Sequence, residues 1–168
     1  MRAYSNFEYG GLSDEEMIRV SGTTEISSRE GWVGKGKAVA YLEDLRAIGD
    51  SLVLCHMLTR GELGFPDRLV GLLNSVTGLE LLPEELKRIG ERINNLERLF
   101  NLREGLKPED DTLPERFINE PLPDGPAKGR VCPIEPMVKE YYSARDWDHK
   151  TGFPYNSKLT ELGIDSEA

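Results

Sequence analysis

The 168-residue sequence predicts an all-α fold, an irregular multi-helical assembly forming one domain over residues 1–168. Three observations point there. Apolar residues recur every three or four positions along several segments, which is the helical period. Serine, proline and acidic residues open those segments and glycine closes them, the asymmetry expected of helix caps. No segment reads as a strand.

The first 34 residues are glycine- and polar-rich and carry one short helix, capped by Ser13, started by Asp14-Glu15-Glu16 and stopped near Gly22. Residues 31–36, GWVGKG, read as a loop. A long helix is expected over Lys37–Thr59, with Val39, Leu42, Leu45, Ile48, Leu52, Cys55 and Met57-Leu58 as its apolar positions. Gly49 inside it costs about 1 kcal/mol relative to alanine, and Gly49-Asp50 is a candidate break, with DSLVLC after it irregular. Pro66 opens a shorter helix ending near Ser75. Pro83, Glu84 and Glu85 open the best-signalled helix, with Leu86, Ile89, Ile93, Leu96 and Phe100 on one face and Gly105 as its stop. A proline-rich connection covers Lys107–Pro133, with a short turn at Pro114–Phe117. A helix over Glu135–Ala144 offers Met137, Val138, Tyr141 and Tyr142 for packing. A last one runs over Ser157–Leu162 and stops at Gly163.

Hydrophobic residues make up 38% and charged residues 30%, which is the balance of a globular chain. A net charge of -9 argues against a nucleic-acid partner, since phosphate binding needs clustered Lys and Arg. The longest apolar run, Leu52–Cys55, falls far short of the roughly 18 residues of a membrane span. The N-terminus lacks the apolar stretch of a signal peptide, so a cytoplasmic location is expected. There is no phosphate-binding glycine loop, nucleophile elbow or histidine triad.

Cys55 has two readings. As a small apolar side chain on a core helix it would be buried, the common fate of free cysteine. As a metal ligand it needs partners. A zinc site from Cys55, His56, Cys132 and His149 has no supporting spacing, and the two cysteines of the chain cannot supply a four-thiolate cluster. Asp50 reads as a helix-surface carboxylate or local cap, or as an acceptor for a donor-rich ligand. The acidic runs 14–16 and 109–111 read as solvated helix starts, and Tyr141, Tyr142 and Trp147 as packing aromatics.

An ordered series of short motifs alters this balance. Asp50–Cys55 resembles D-x-x-G-L-C, Asn101–Gly105 resembles N-x-R-E-G, and Asp110–Arg116 resembles D-x-L-P-x-R. Leu122–Gly129 is similar to a linker before final helices. Glu140–Asp148 resembles E-Y-Y-x-x-R-G-W-D, Gly152–Pro154 resembles G-x-P, and Lys158–Gly163 resembles the start of K-L-x-E-L-G-L. Together, over residues 35–168, they resemble the C-terminal helical region of the tungsten-containing aldehyde:ferredoxin oxidoreductases.

That resemblance implies two cofactors, a tungstopterin (or molybdopterin) and a [4Fe–4S] cluster, and oxidation of aldehydes to carboxylates with electrons passed to ferredoxin. It implies that Asp50 hydrogen-bonds one pterin, that Leu54 meets it through its backbone, and that Cys55 is a single cluster ligand bridging cluster and pterin. The family's C-x-x-C-x-x-x-C segment, which supplies the other three thiolates, is not in this sequence. The cofactors are therefore expected to be absent from the isolated chain, which is expected to be inactive. Its partner would be the N-terminal cofactor domains as a separate chain, or ferredoxin in the complete enzyme. No catalytic residue is carried over, because no histidine precedes His56. Val53 and Asp146 replace motif glycines. At 53 a β-branched side chain would crowd the pterin, and at 146 a changed local turn is expected. The competing reading is a cofactor-free helical protein-interaction module derived from the same family.

Overall fold

The computed structural model describes residues 14–23, 26, 31–55 and 67–167. In order the helices are α1 (Asp14–Ser21), α2 (Lys35–Ser51), α3 (Asp67–Thr77), α4 (Pro83–Arg103), α5 (Glu115–Asn119), α6 (Ile134–Arg145) and α7 (Asn156–Leu162), with 3-10 turns at Pro108–Asp110 and Asp165–Glu167. Among the described residues the one extended pairing is an isolated antiparallel bridge between Trp147 and Pro154.

Helix α2 is the centre of the molecule, packed against α4 and α6. Its composition explains how close they come. Gly36, Ala38, Ala40, Ala47 and Gly49 are all buried on it, so backbone can meet backbone. A Cβ at Gly36 would stand 2.6 Å from the Tyr141 amide nitrogen of α6, and one at Gly90 of α4 would stand 2.3 Å from the Asp44 carbonyl oxygen. Neither position has room for a side chain.

Among the described residues, apolar side chains form three clusters. Leu45 and Ile48 of α2 pack with Leu69 and Val70 of α3 and Leu86 of α4, with Leu52, Leu54, Leu73 and Ile89 against them. Leu99 of α4 packs with Leu159, Leu162 and Ile164. Met17, Ile26 and Ala38 close the α1 side.

The helix expected to run to Thr59 ends at Ser51 instead, close to the break marked by Gly49-Asp50. Leu52 and Leu54 turn back onto the apolar cluster that α2 shares with α3 and α4. Residues 56–59 of that expectation, the Ser13 cap and the Pro66 start lie outside the described residues. The remaining boundaries fall within about two residues of expectation, as helix ends commonly do.

The face of α4 is a second correction. Its buried residues are Leu86, Gly90, Asn94, Asn95, Arg98 and Leu99, whereas Phe100 is 54% exposed. An apolar pattern cannot reveal that a helix buries asparagine and arginine, which is tolerated only because every such group finds a partner.

Candidate functional site

Two regions carry the motif residues: a buried polar network between α2, α4 and α6, and the C-terminal tip of α2.

The network is built on Arg145, 1% exposed. Its guanidinium donates to Asp44 Oδ1 at 2.5 Å, to Glu43 Oε2 at 3.0 Å and to the Ala40 carbonyl at 2.8 Å. Tyr141 donates to Glu43, and Asn94 Nδ2 reaches Asp44 Oδ1 at 2.8 Å. Burial pushes the Asp44 carboxyl up to about 6, against the pull of Arg145 and Asn94. Burial also raises the Tyr141 hydroxyl. Desolvation works against the Arg145 charge, and the Asp44 and Glu43 carboxylates outweigh it.

A second buried arginine, Arg98, donates to the Gly152 carbonyl at 3.0 Å, to Asp111 Oδ2 at 2.7 Å and to the Tyr142 hydroxyl at 2.8 Å. It stacks 4.7 Å over the Trp147 ring. Trp147 Nε1 in turn donates to Asn95 Oδ1 at 2.8 Å. Asp111 is thus part of an ion pair rather than a solvated helix start. Lys158 bridges Glu91, Asp146 and Glu161 at 3.0, 3.1 and 2.9 Å, and these carboxylates raise its ammonium despite desolvation. Glu140 caps the start of α2 by accepting from the Gly34 and Gly36 amides at 2.9 and 2.7 Å.

The E-Y-Y-x-x-R-x-W-D stretch is therefore architectural: Glu140, Tyr141, Tyr142, Arg145 and Trp147 each tie α6 to another element. Tyr141, Tyr142 and Trp147 are packing aromatics as read from the sequence, with Tyr141 and Tyr142 each edge-on to Trp147 at about 5.5 Å. Arg98 and Arg145 were missed as site-builders. The one signal was charge on the packing faces of helices.

The tip of α2 is different in kind. The Leu54 amide donates to the Gly49 carbonyl and the Val53 amide to the Asp50 carbonyl, both at 3.0 Å, and Val53 has φ +55°. That is a Schellman termination with valine in the left-handed position where glycine is usual. Leu54, its side chain against the α2/α3/α4 cluster, has its N–H committed and offers its carbonyl. Asp50 and Cys55 are both exposed. Cys55 is therefore not the buried apolar group of the bland reading. Val53 stands between them, 90% exposed.

Asp146, the other departure from a motif glycine, holds the matching left-handed end of α6 at φ +54°. There the Trp147 amide donates to the Tyr142 carbonyl at 2.9 Å.

One thiol and one carboxylate do not make a metal site. No group of three or more His, Cys, Asp or Glu that could hold an ion occurs among the described residues, and a four-iron cluster takes four ligands. The α2 tip fits at most one edge of a cofactor site.

The family model "Aldehyde ferredoxin oxidoreductase, domains 2 & 3" matches residues 4–164. The tungsten-containing aldehyde ferredoxin oxidoreductase of Pyrococcus furiosus is 46% identical over 131 residues, covering 77% of this chain and 21% of that protein. That of Thermococcus kodakarensis is 44% identical over 131 residues, again 77% and 21%. An aliphatic sulfonate oxidoreductase, WOR-like subunit, of Pyrococcus furiosus is 37% identical over 131 residues, 73% of this chain and 20% of that one. The chain spans about a fifth of the length of the curated relatives it matches. Among solved structures, the active-site complex BamBC of benzoyl coenzyme A reductase, in complex with 1,5-dienoyl-CoA, shares the fold at a TM-score of 0.64 and 23% identity, covering 79% of this chain and 19% of that one. With residues 4–164 of its 168 matched by the family model, this chain belongs to the aldehyde ferredoxin oxidoreductase family and corresponds to its helical C-terminal region.

Proposed function

We propose that this chain is the C-terminal part of a tungsten- or molybdenum-pterin, [4Fe–4S]-dependent aldehyde:ferredoxin oxidoreductase, and that by itself it does not oxidise aldehydes. The observation that carries the reading is the α2 tip. Cys55 lies outside the core immediately after a helix-ending turn, and Asp50 is exposed in the last helical turn before it. On this reading Cys55 supplies one thiolate to the cluster, Asp50 accepts from pterin N–H groups and the Leu54 carbonyl takes a further pterin donor. The remaining ligands come from the other domains of the enzyme. The bound pterin metal would supply the two-electron oxidation, and the cluster would relay electrons singly to ferredoxin. What this chain supplies is position: α2 is clamped at its start by Glu140 and at its middle by Arg145, which sets the direction in which its tip points. Among the described residues no helix is long and apolar enough to cross a membrane, and the reading carries a cytoplasmic enzyme with it.

The test is co-expression of this chain with the preceding four fifths of a tungsten relative, followed by purification of the complex without oxygen. Cluster iron is expected in the wild-type complex and a marked loss of it in Cys55→Ser. Full iron in the Cys55→Ser complex, or no complex at all, would overturn the reading. The cofactor-free interaction module has one observation in its favour, the isopropyl group of Val53 on the surface a pterin would approach. Iron-free complexes that form equally well with Cys55→Ser would establish it.

A further inference from the structure

Helix α3 and the connection after it carry four exposed aliphatic side chains. Val76 is 77% exposed, Leu82 63%, Leu79 51% and Leu72 50%. Among the described residues helix α3 is packed on one side: Leu69, Val70 and Leu73 join the cluster beneath the α2 tip, whereas Leu72 and Val76, four residues apart and so on one ridge, are exposed. Between Arg68 and Glu80 there is no charged residue, in a chain that is 30% charged. Gly71 has open space where a side chain would stand, with nothing within 4 Å.

The surface is also preorganised. Asn74 donates to the Leu81 carbonyl at 2.8 Å and accepts from the Leu81 amide at 3.1 Å, which pins the 78–82 connection back against α3. Leu79 and Leu82 thus sit on a connection tied to α3. Charge depletion with fixed, exposed aliphatic groups is the composition of an interface core, not of a solvated helix face.

We infer that the outer face of α3, with Leu79 and Leu82, is the surface on which the preceding, cofactor-bearing portion of the enzyme docks. This rests on the functional reading above and extends it to a surface that reading does not use. Two observations select this occupant. The chain spans only about a fifth of its relatives' length, so most of such an enzyme lies outside it. And α3 shares one hydrophobic cluster with Leu52 and Leu54, so a body seated on α3 is next to the tip that carries Asp50 and Cys55. A typical stable interface needs about 800 Å² per partner, which a four-residue ridge begins and the tip extends.

The test uses Val76→Lys and Leu72→Glu, both on exposed side chains, with circular dichroism as the check that the fold is kept. Each chain is titrated with the preceding four fifths of the Pyrococcus furiosus relative, and alkylation of Cys55 reports on the tip. The expected result is association weakened about ten-fold or more by either variant, with Cys55 shielded in the wild-type complex and open in the variants. Shielding of Cys55 with association unchanged in both variants would overturn the α3 assignment and leave the functional reading intact. Absence of association for the wild-type chain would overturn both. Concentration-dependent self-association of the wild-type chain, abolished by Val76→Lys, would give the surface to a second copy and overturn the occupant named here.

Discussion

At position 53 an L-residue with a branched Cβ sits at φ +55°, a region that costs non-glycine residues about 1–2 kcal/mol. The valine side chain itself does little to offset that cost, being 90% exposed. Val53→Gly is therefore expected to stabilise the isolated chain by about 1 kcal/mol, after allowing for glycine's extra unfolded-state entropy; urea denaturation measures it, and a destabilised variant would show that the isopropyl group packs after all. Asp146 has the same backbone but different compensation. Aspartate tolerates the left-handed region better than valine, and its carboxylate reaches Lys158 at 3.1 Å. A second residue-scale prediction concerns Asp44. Its carboxyl is pushed up to about 6, first by burial, whereas in the unfolded chain it titrates near 4, about the ordinary value. The folded protein thus holds that proton more tightly. The contribution of this group to stability is complete below about pH 4 and is lost as the pH rises through about 6. Asp44→Asn is expected to flatten this part of the stability profile between those pH values, and an unaltered slope in denaturant midpoints would count against the assignment.

Helices α2, α4, α6 and α7 end in the same way, with paired amide-to-carbonyl bonds around a left-handed residue: Val53, Gly105, Asp146 and Gly163. The stops at Gly105 and Gly163 are legible from glycine alone. The other two are not, because valine and aspartate carry no such signal. The pairing of elements was equally hidden. Gly90 looks like an isolated helix-weakening residue in sequence, yet it is where α4 meets the backbone of α2. Gly90→Ala should gain helix propensity of about 1 kcal/mol and still lose about 1–3 kcal/mol net through forced separation of α2 and α4. Thermal unfolding would show a lower midpoint; a higher one would mean the helices can part without loss.

For the whole molecule, the helical body is held by the apolar clusters, one of which reaches Leu52 and Leu54 at the α2 tip, and by interactions remote from the proposed cofactor edge: the Arg145 and Arg98 networks and the Glu140 cap. Cys55 takes no part in them. Cys55→Ser is accordingly expected to leave the stability of the isolated chain within about 0.5 kcal/mol of wild type, while removing the thiol that the proposed complex needs. A large loss of stability would place the thiol in the fold rather than in a site. This separation explains how a single chain can carry many family motifs and little chemistry: most of them, from Glu140 to Gly163, build the support.

Helical class, element order and most helix starts follow from local physics, since periodicity, proline and capping residues act within a few positions of one another. Family membership followed as well, because the motif order survives in the chain itself. Tertiary structure alone decided which face of α4 is buried, why motif glycines matter at positions 53 and 146, and that Cys55 is outside the core. Each of these depends on partners far apart in sequence: Arg145 meets Asp44 across about a hundred residues, and Leu54 leaves the helical path because α3 and α4 provide an apolar surface to turn onto. Burial of charge is settled by such distant neighbours, and so is reversal of backbone hand where no glycine marks it, as at Val53 and Asp146.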